Sequence, residues 1–302
     1  MGVNFPVVKL SPDFLTRIGN PVYLEATVDS IRAIANTQRL FISLIAVISA
    51  LAWLALWVSG SSPYGAYLHS HGAAAGTSAH AGHSMHAGHA IATIENPLTL
   101  AVLFALGWLL MTVAMMLPTS IPLLGIFFAI TKRKRNQALL MSLAIFGYLT
   151  VWLGFGLLAY AGVRLIYKLG EYSAFLQSNA ALLGAGALIL AGLFQFSSLK
   201  YKCLDKCRSP YSFVTQHWTG HNESMQSFWL GAHHGIFCVG CCWALMLLMF
   251  PLGAANIGWM LVLGALMAIE KNVSWGRRFG KPLGVALLAI GLVVALRSLI
   301  IH

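Results

Sequence analysis

The chain has 302 residues, 58% hydrophobic and only 9% charged, whereas a soluble domain carries about a quarter charged residues. That balance excludes a water-soluble fold. The formal charge of +11 would suit nucleic acid, but Lys and Arg stand in short clusters between apolar runs, where membrane orientation needs them, so a lipid bilayer replaces nucleic acid as the expected partner.

Taken in chain order, the N-terminus has no apolar core until Leu40, too late for a cleaved signal peptide, so Leu40 to Val58 reads as a retained span. Residues 1–39 are expected to be a cytoplasmic segment, with an interfacial helix within 11–39. Residues 40–302 form a single integral membrane domain. Apolar runs near or above the roughly 18 residues that cross a bilayer predict spans at 40–59, 97–118, 138–160, 180–199, 229–250, 255–270 and 282–301. The fold class is therefore an all-α, polytopic transmembrane helix bundle of about seven spans.

The doubtful step is 229–270, far too long for one crossing at 1.5 Å per residue. Pro251 to Asn256 offers a turn there. Charge decides the count, because cytoplasmic loops hold the excess of Lys and Arg. With the N-terminus inside, seven spans put the clusters of residues 9–39, Lys132–Arg135, Lys200–Arg208 and Lys271–Lys281 on the cytoplasmic side. Those clusters hold sixteen of the nineteen basic residues, leaving Arg164, Lys168 and Arg297. A multi-pass protein of a bacterial inner membrane follows. Gly184, Gly186 and Gly192 in one span, and Gly284 and Gly291 in another, are expected to mark close helix contacts.

Residues 69–90, between the first two spans, form an uncharged external loop rich in Ala, Gly and His. His69, His71, His80, His83, His86 and His89, with Met85 among them, offer neutral imidazoles that suit copper, zinc or nickel. Such a loop collects ions without selecting among them. Selection requires a more ordered site.

The fifth span supplies one candidate. His234, Cys238, Cys241 and Cys242 follow helical steps of four, three and four and share a face, which Met246 extends into the membrane; His233 precedes them. Thiolate, thioether and imidazole together are the donor set of Cu(I). The preceding cytoplasmic loop, residues 200–228, carries Cys203 and Cys207 four apart, amid Lys200, Lys202, Lys206 and Arg208, which would favour the thiolate. Five cysteines in two tight groups point to metal or redox chemistry rather than a disulfide framework.

The second span runs outside to inside, so Met111, Met115 and Met116 approach the same face. Methionine at this spacing fills core gaps more often than it binds metal, and only the coincidence of position gives it weight. Pro118 and Pro122 bracket the helix end and are expected to free backbone carbonyls. Glu270, followed by Lys271, closes the sixth span as a boundary ion pair or as a proton or metal ligand.

Three blocks, WLLMTVAMMLP at Trp108–Pro118, QFSSLKYKCLDKCRSP at Gln195–Pro210 and GIFCVGCCWALM at Gly235–Met246, together with the Glu270-Lys271 pair, resemble the bacterial family of predicted metal-binding integral membrane proteins, the domain of unknown function 2182. The resemblance covers most of the chain from about residue 97. It implies metal binding, and some members are labelled copper chaperones; it implies no reaction, and the histidine-rich loop is not part of it.

The leading reading is a membrane protein that captures and hands on a soft metal, as a chaperone, an assembly factor or a transporter with a metal-receiving enzyme or metallochaperone as partner. Copper is favoured, as Cu(I) at the cysteines, and zinc also suits the donors. Sparse ionisable groups within the spans favour hand-over above full transport. The alternatives are a membrane thiol/disulfide oxidoreductase using the same cysteines, which a reducing cytoplasm disfavours, and a non-catalytic subunit of a respiratory or monooxygenase complex. No residue is assigned a catalytic role.

Overall fold

The computed structural model describes residues 21–61, 97–171, 180–252 and 256–301. Among them every regular element is helical. The elements are α1 (Pro21–Ser61), α2 (Pro97–Met115), a 3-10 turn (Pro118–Ser120), α3 (Ile121–Thr131), α4 (Gln137–Glu171), α5 (Ala180–Phe194), α6 (Ser198–Arg208), α7 (Pro210–His217), α8 (Glu223–Leu247), α9 (Met249–Leu252), α10 (Ile257–Asn272) and α11 (Gly276–Ile301). The histidine-rich loop, with His69, His71, His80, His83, Met85, His86 and His89, lies outside the described residues, as do 1–20 of the N-terminal segment. The chain divides into two compact units, Met1–Leu44 and Ile45–His302. In the first, the described residues 21–44 are helical.

Among the described residues five helices are long and apolar enough to cross a membrane, six when α5 and α6, bent by 66°, count as one. The remaining expected span, the sixth at 255–270, is α10, whose 16 residues reach only about 24 Å at 1.5 Å each. Its ends are fixed by hydrogen bonds. The Asn256 side chain accepts from the Trp259 amide at 3.3 Å. At the other end Arg208 donates to the Glu270 and Val273 carbonyls at 2.7 Å each and to that of Ser274 at 3.0 Å, satisfying carbonyls that a helix terminus leaves open. The span placed at 97–118 stops at Met115, and residues 121–131, between two expected spans, form the apolar helix α3.

The break after α2 follows from Pro118, which has no N–H to give the Ala114 carbonyl. Instead that oxygen accepts from Ser49 Oγ at 2.8 Å and Trp53 Nε1 at 3.1 Å. The Met116 carbonyl takes the Thr119 hydroxyl at 2.7 Å. These two carbonyls at the proline break are thus engaged by side chains rather than left for an ion.

Within the second unit, α4 and α8 run parallel. Gly147 meets the backbone of Phe228 and Ala232, Gly231 meets the Ala144 carbonyl, and Gly235 meets Tyr148 and Val151; a Cβ on Gly147 or Gly231 would collide with backbone. Antiparallel α5 and α11 approach through Gly192, Gly284 and Gly291 in the same way, whereas Gly184 makes only an ordinary contact with Pro251 and Gly186 has nothing within 4 Å, so the expected contact fails at Gly186. Antiparallel α2 and α4 are tied by Trp108, whose Nε1 donates to the Trp152 carbonyl at 2.9 Å. More than thirty large apolar side chains are exposed, from Val47 and Leu51 on α1 to Leu299 and Ile300 on α11. Each would cost about 1.5–3 kcal/mol in water relative to burial. Lipid would remove that cost, and the long apolar helices are compatible with a multi-pass membrane protein.

Candidate metal centre

α8 begins at Glu223, six residues before the predicted start; Lys134 pairs with the Glu223 carboxylate at 2.6 Å, and the added residues bring Phe228 against Gly147 of α4. Cys238, Cys241 and Cys242 therefore lie in the second half of this 25-residue helix. All three are buried.

Cys241 and Cys242 Sγ are 3.3 Å apart, and Cys238 lies one turn before them on the same helix. α6, which carries Cys203 and Cys207, packs against this part of α8. Cys203, one turn before Cys207, is held against Gly240: a Cβ there would stand 2.6 Å from Cys203 Sγ. α6 can lie this close because Ser197 caps it, accepting from the Leu199 amide at 3.2 Å, and because Arg208 anchors it to the end of α10.

Around Cys238 the environment is polar although buried. The Lys271 ammonium lies 3.0 Å from its sulfur, 3.3 Å from Thr119 Oγ1 and 3.7 Å from Met116 Sδ. The Tyr148 hydroxyl is 3.1 Å from the same sulfur. His234 is buried beside them, its Nε2 3.1 Å from Ser120 Oγ and its ring stacked on Tyr148 at 5.6 Å. Met111, Met115, Met116 and Met246 are buried in the same core. Met115 fills the space beside Gly264 on α10, the packing role methionine usually has.

Two sequence expectations change here. Glu270 does not pair with Lys271: both its oxygens accept from Lys200 Nζ, at 2.7 and 2.8 Å, and Gln195 completes that buried group. Successive helical residues do not face each other, so Lys271 turns to the thiols instead. That rule was available in the sequence and would have found Lys271; it also separates His233 from His234. The second change concerns the cations beside Cys203 and Cys207. Lys200 and Arg208 are engaged elsewhere, by Glu270 and by the α10 terminus, rather than held beside the thiols. Tyr148 carried no sequence signal beyond an aromatic in a span.

Among the described residues no three His, Cys, Asp or Glu side chains are gathered as they stand to hold an ion. What the arrangement provides is a buried group of soft donors, with thioether and imidazole nearby and with the nearby carboxylate committed to Lys200. That chemistry suits a soft monovalent ion and not a hard divalent one.

The fold and these donors define a helical, membrane-type protein with a soft-donor core. The chain belongs to the PpoB2 family, described as copper chaperone, whose family model matches residues 105–294. No curated protein and no solved structure matches the chain.

Proposed function

We propose that the protein binds Cu(I) as cargo through Cys207, Cys238, Cys241 and Cys242 and hands it to a metal-receiving enzyme or metallochaperone. The observation that carries this reading is the set of buried thiols on α8, with Cys241 and Cys242 sulfurs 3.3 Å apart, Cys238 one turn before them, and the Cys203 helix packed against Gly240 beside them. The copper chaperone description of the family supports it. Thiolate donors prefer Cu(I), and rotation of a cysteine about χ1 is enough to converge neighbouring sulfurs. Lys271 Nζ stands 3.0 Å from the Cys238 sulfur, where a cation offsets the negative charge that thiolate ligands bring to a bound monovalent ion. The N-terminus is cytoplasmic, in a bacterial inner membrane, and α10 completes a seventh crossing. The parallel course of α4 and α8, the antiparallel course of α2 against α4 and that of α5 against α11 support that alternation.

The test is Cu(I) competition against a chromophoric chelator, on detergent-purified protein whose six loop histidines are changed to Gln. Copper should be retained, and the Cys238→Ser, Cys241→Ser, Cys242→Ser triple variant should lose it. Metal-free protein with a reversible disulfide would favour thiol/disulfide exchange instead. Zinc bound in preference to copper would change the cargo.

A further inference from the structure

His233 is half-buried and turned away from the thiols. Its ring lies beside that of His217, the last residue of α7, with centroids 5.1 Å apart and planes inclined at 53°. Two imidazoles bound to one ion at a tetrahedral angle, with bonds of about 2.0–2.1 Å, have centroids about 5 Å apart. The protonation of one partner is fixed. His217 Nδ1 is 2.8 Å from the Phe213 carbonyl, which can only accept, so Nδ1 carries the proton and Nε2 is the nitrogen left to bind an ion in the neutral ring. A backbone carbonyl on the second nitrogen is the usual way a metal-ligating histidine is oriented. On the other ring, His233 Nδ1 is buried and has no hydrogen-bond partner. A buried ring nitrogen without a partner is costly unless a ligand completes it.

From this pair we infer a second metal site, formed by His217 and His233 and distinct from the thiols. Phe213, which stacks on His217 at 4.4 Å and meets His234 edge-on at 5.9 Å, separates the pair from the thiol side. Two protein ligands leave coordination positions open. An open position lets a donor or acceptor molecule share the ion during exchange, whereas a closed set of ligands holds it. The pair is thus a transfer point for Cu(I), and this assignment rests on copper being the cargo of the thiols.

The experiment uses full-length protein in detergent with the six loop histidines changed to Gln and all five cysteines to Ser. Titrated with Cu(I) against a weak chromophoric chelator, it should retain a single equivalent, and His217→Gln or His233→Gln should weaken retention by more than about tenfold. No retained copper, or retention indifferent to both changes, overturns the site. Because the cysteine changes could disturb folding, the thiol-intact protein is loaded with a second equivalent and read by X-ray absorption. Added nitrogen scatterers that His217→Gln removes support the pair, and a purely sulfur shell overturns it. Failure of the thiol reading is separable, since it would show as no sulfur-bound copper at the first equivalent.

Discussion

Glu270 and Lys271, adjacent at the end of α10, serve different partners about 100° apart around the helix. Glu270 closes a buried ion pair with Lys200 at 2.7 Å, both side chains almost fully shielded. Glu270→Gln would leave the Lys200 ammonium buried without its counter-ion, a change that costs about 3–5 kcal/mol. A drop in thermal unfolding temperature in detergent should report it. The pairing also predicts that Glu270 is no ligand, so folded Glu270→Gln should bind as much copper as the parent protein. Replacing both partners, Lys200→Met with Glu270→Leu, should recover much of the lost stability, because a well-packed apolar pair avoids the desolvation cost.

At the scale of elements, the contact of α4 with α8 is set by backbone approaching backbone at Gly147 and Gly231. Gly231→Ala would press a Cβ into the Ala144 carbonyl and should destabilise by about 1–3 kcal/mol, as overpacking does. Gly154 on α4 has nothing within 4 Å. Gly154→Ala should instead stabilise by about 0.5–1 kcal/mol, through the helix preference for alanine. Thermal unfolding of the two variants side by side checks both signs.

The helices themselves were legible, because runs of apolar residues have no other stable form in a bilayer. Their ends were not. Pro118 announced a break, but not that Ser49 and Trp53, distant in sequence, would take the freed Ala114 carbonyl. The early start of α8 brings Glu223 to Lys134, another contact invisible to a local pattern. Among candidate donors, helical spacing puts Cys238, Cys241 and Cys242 on one helix, and all three are buried. It could not place His217 beside His233, since that requires the turn between α7 and α8.

Across the whole molecule, the seven-crossing topology puts Lys134 and Lys281 on one side and Arg164 on the other. In a cysteine-free background, Lys134→Cys and Lys281→Cys should react with an impermeant thiol reagent only from the cytoplasmic side, and Arg164→Cys only from outside. If Lys281→Cys reacts from outside, α10 does not cross, and the count falls to six.

The central claim is that sulfur from α6 and α8 holds the cargo. X-ray absorption at the copper edge, on protein with the loop histidines changed to Gln and loaded with a single equivalent of Cu(I), tests it most directly. The account predicts sulfur scatterers at about 2.3 Å, diminished when Cys241 and Cys242 are changed to Ser. A shell of nitrogen or oxygen alone, unchanged by those substitutions, would contradict it.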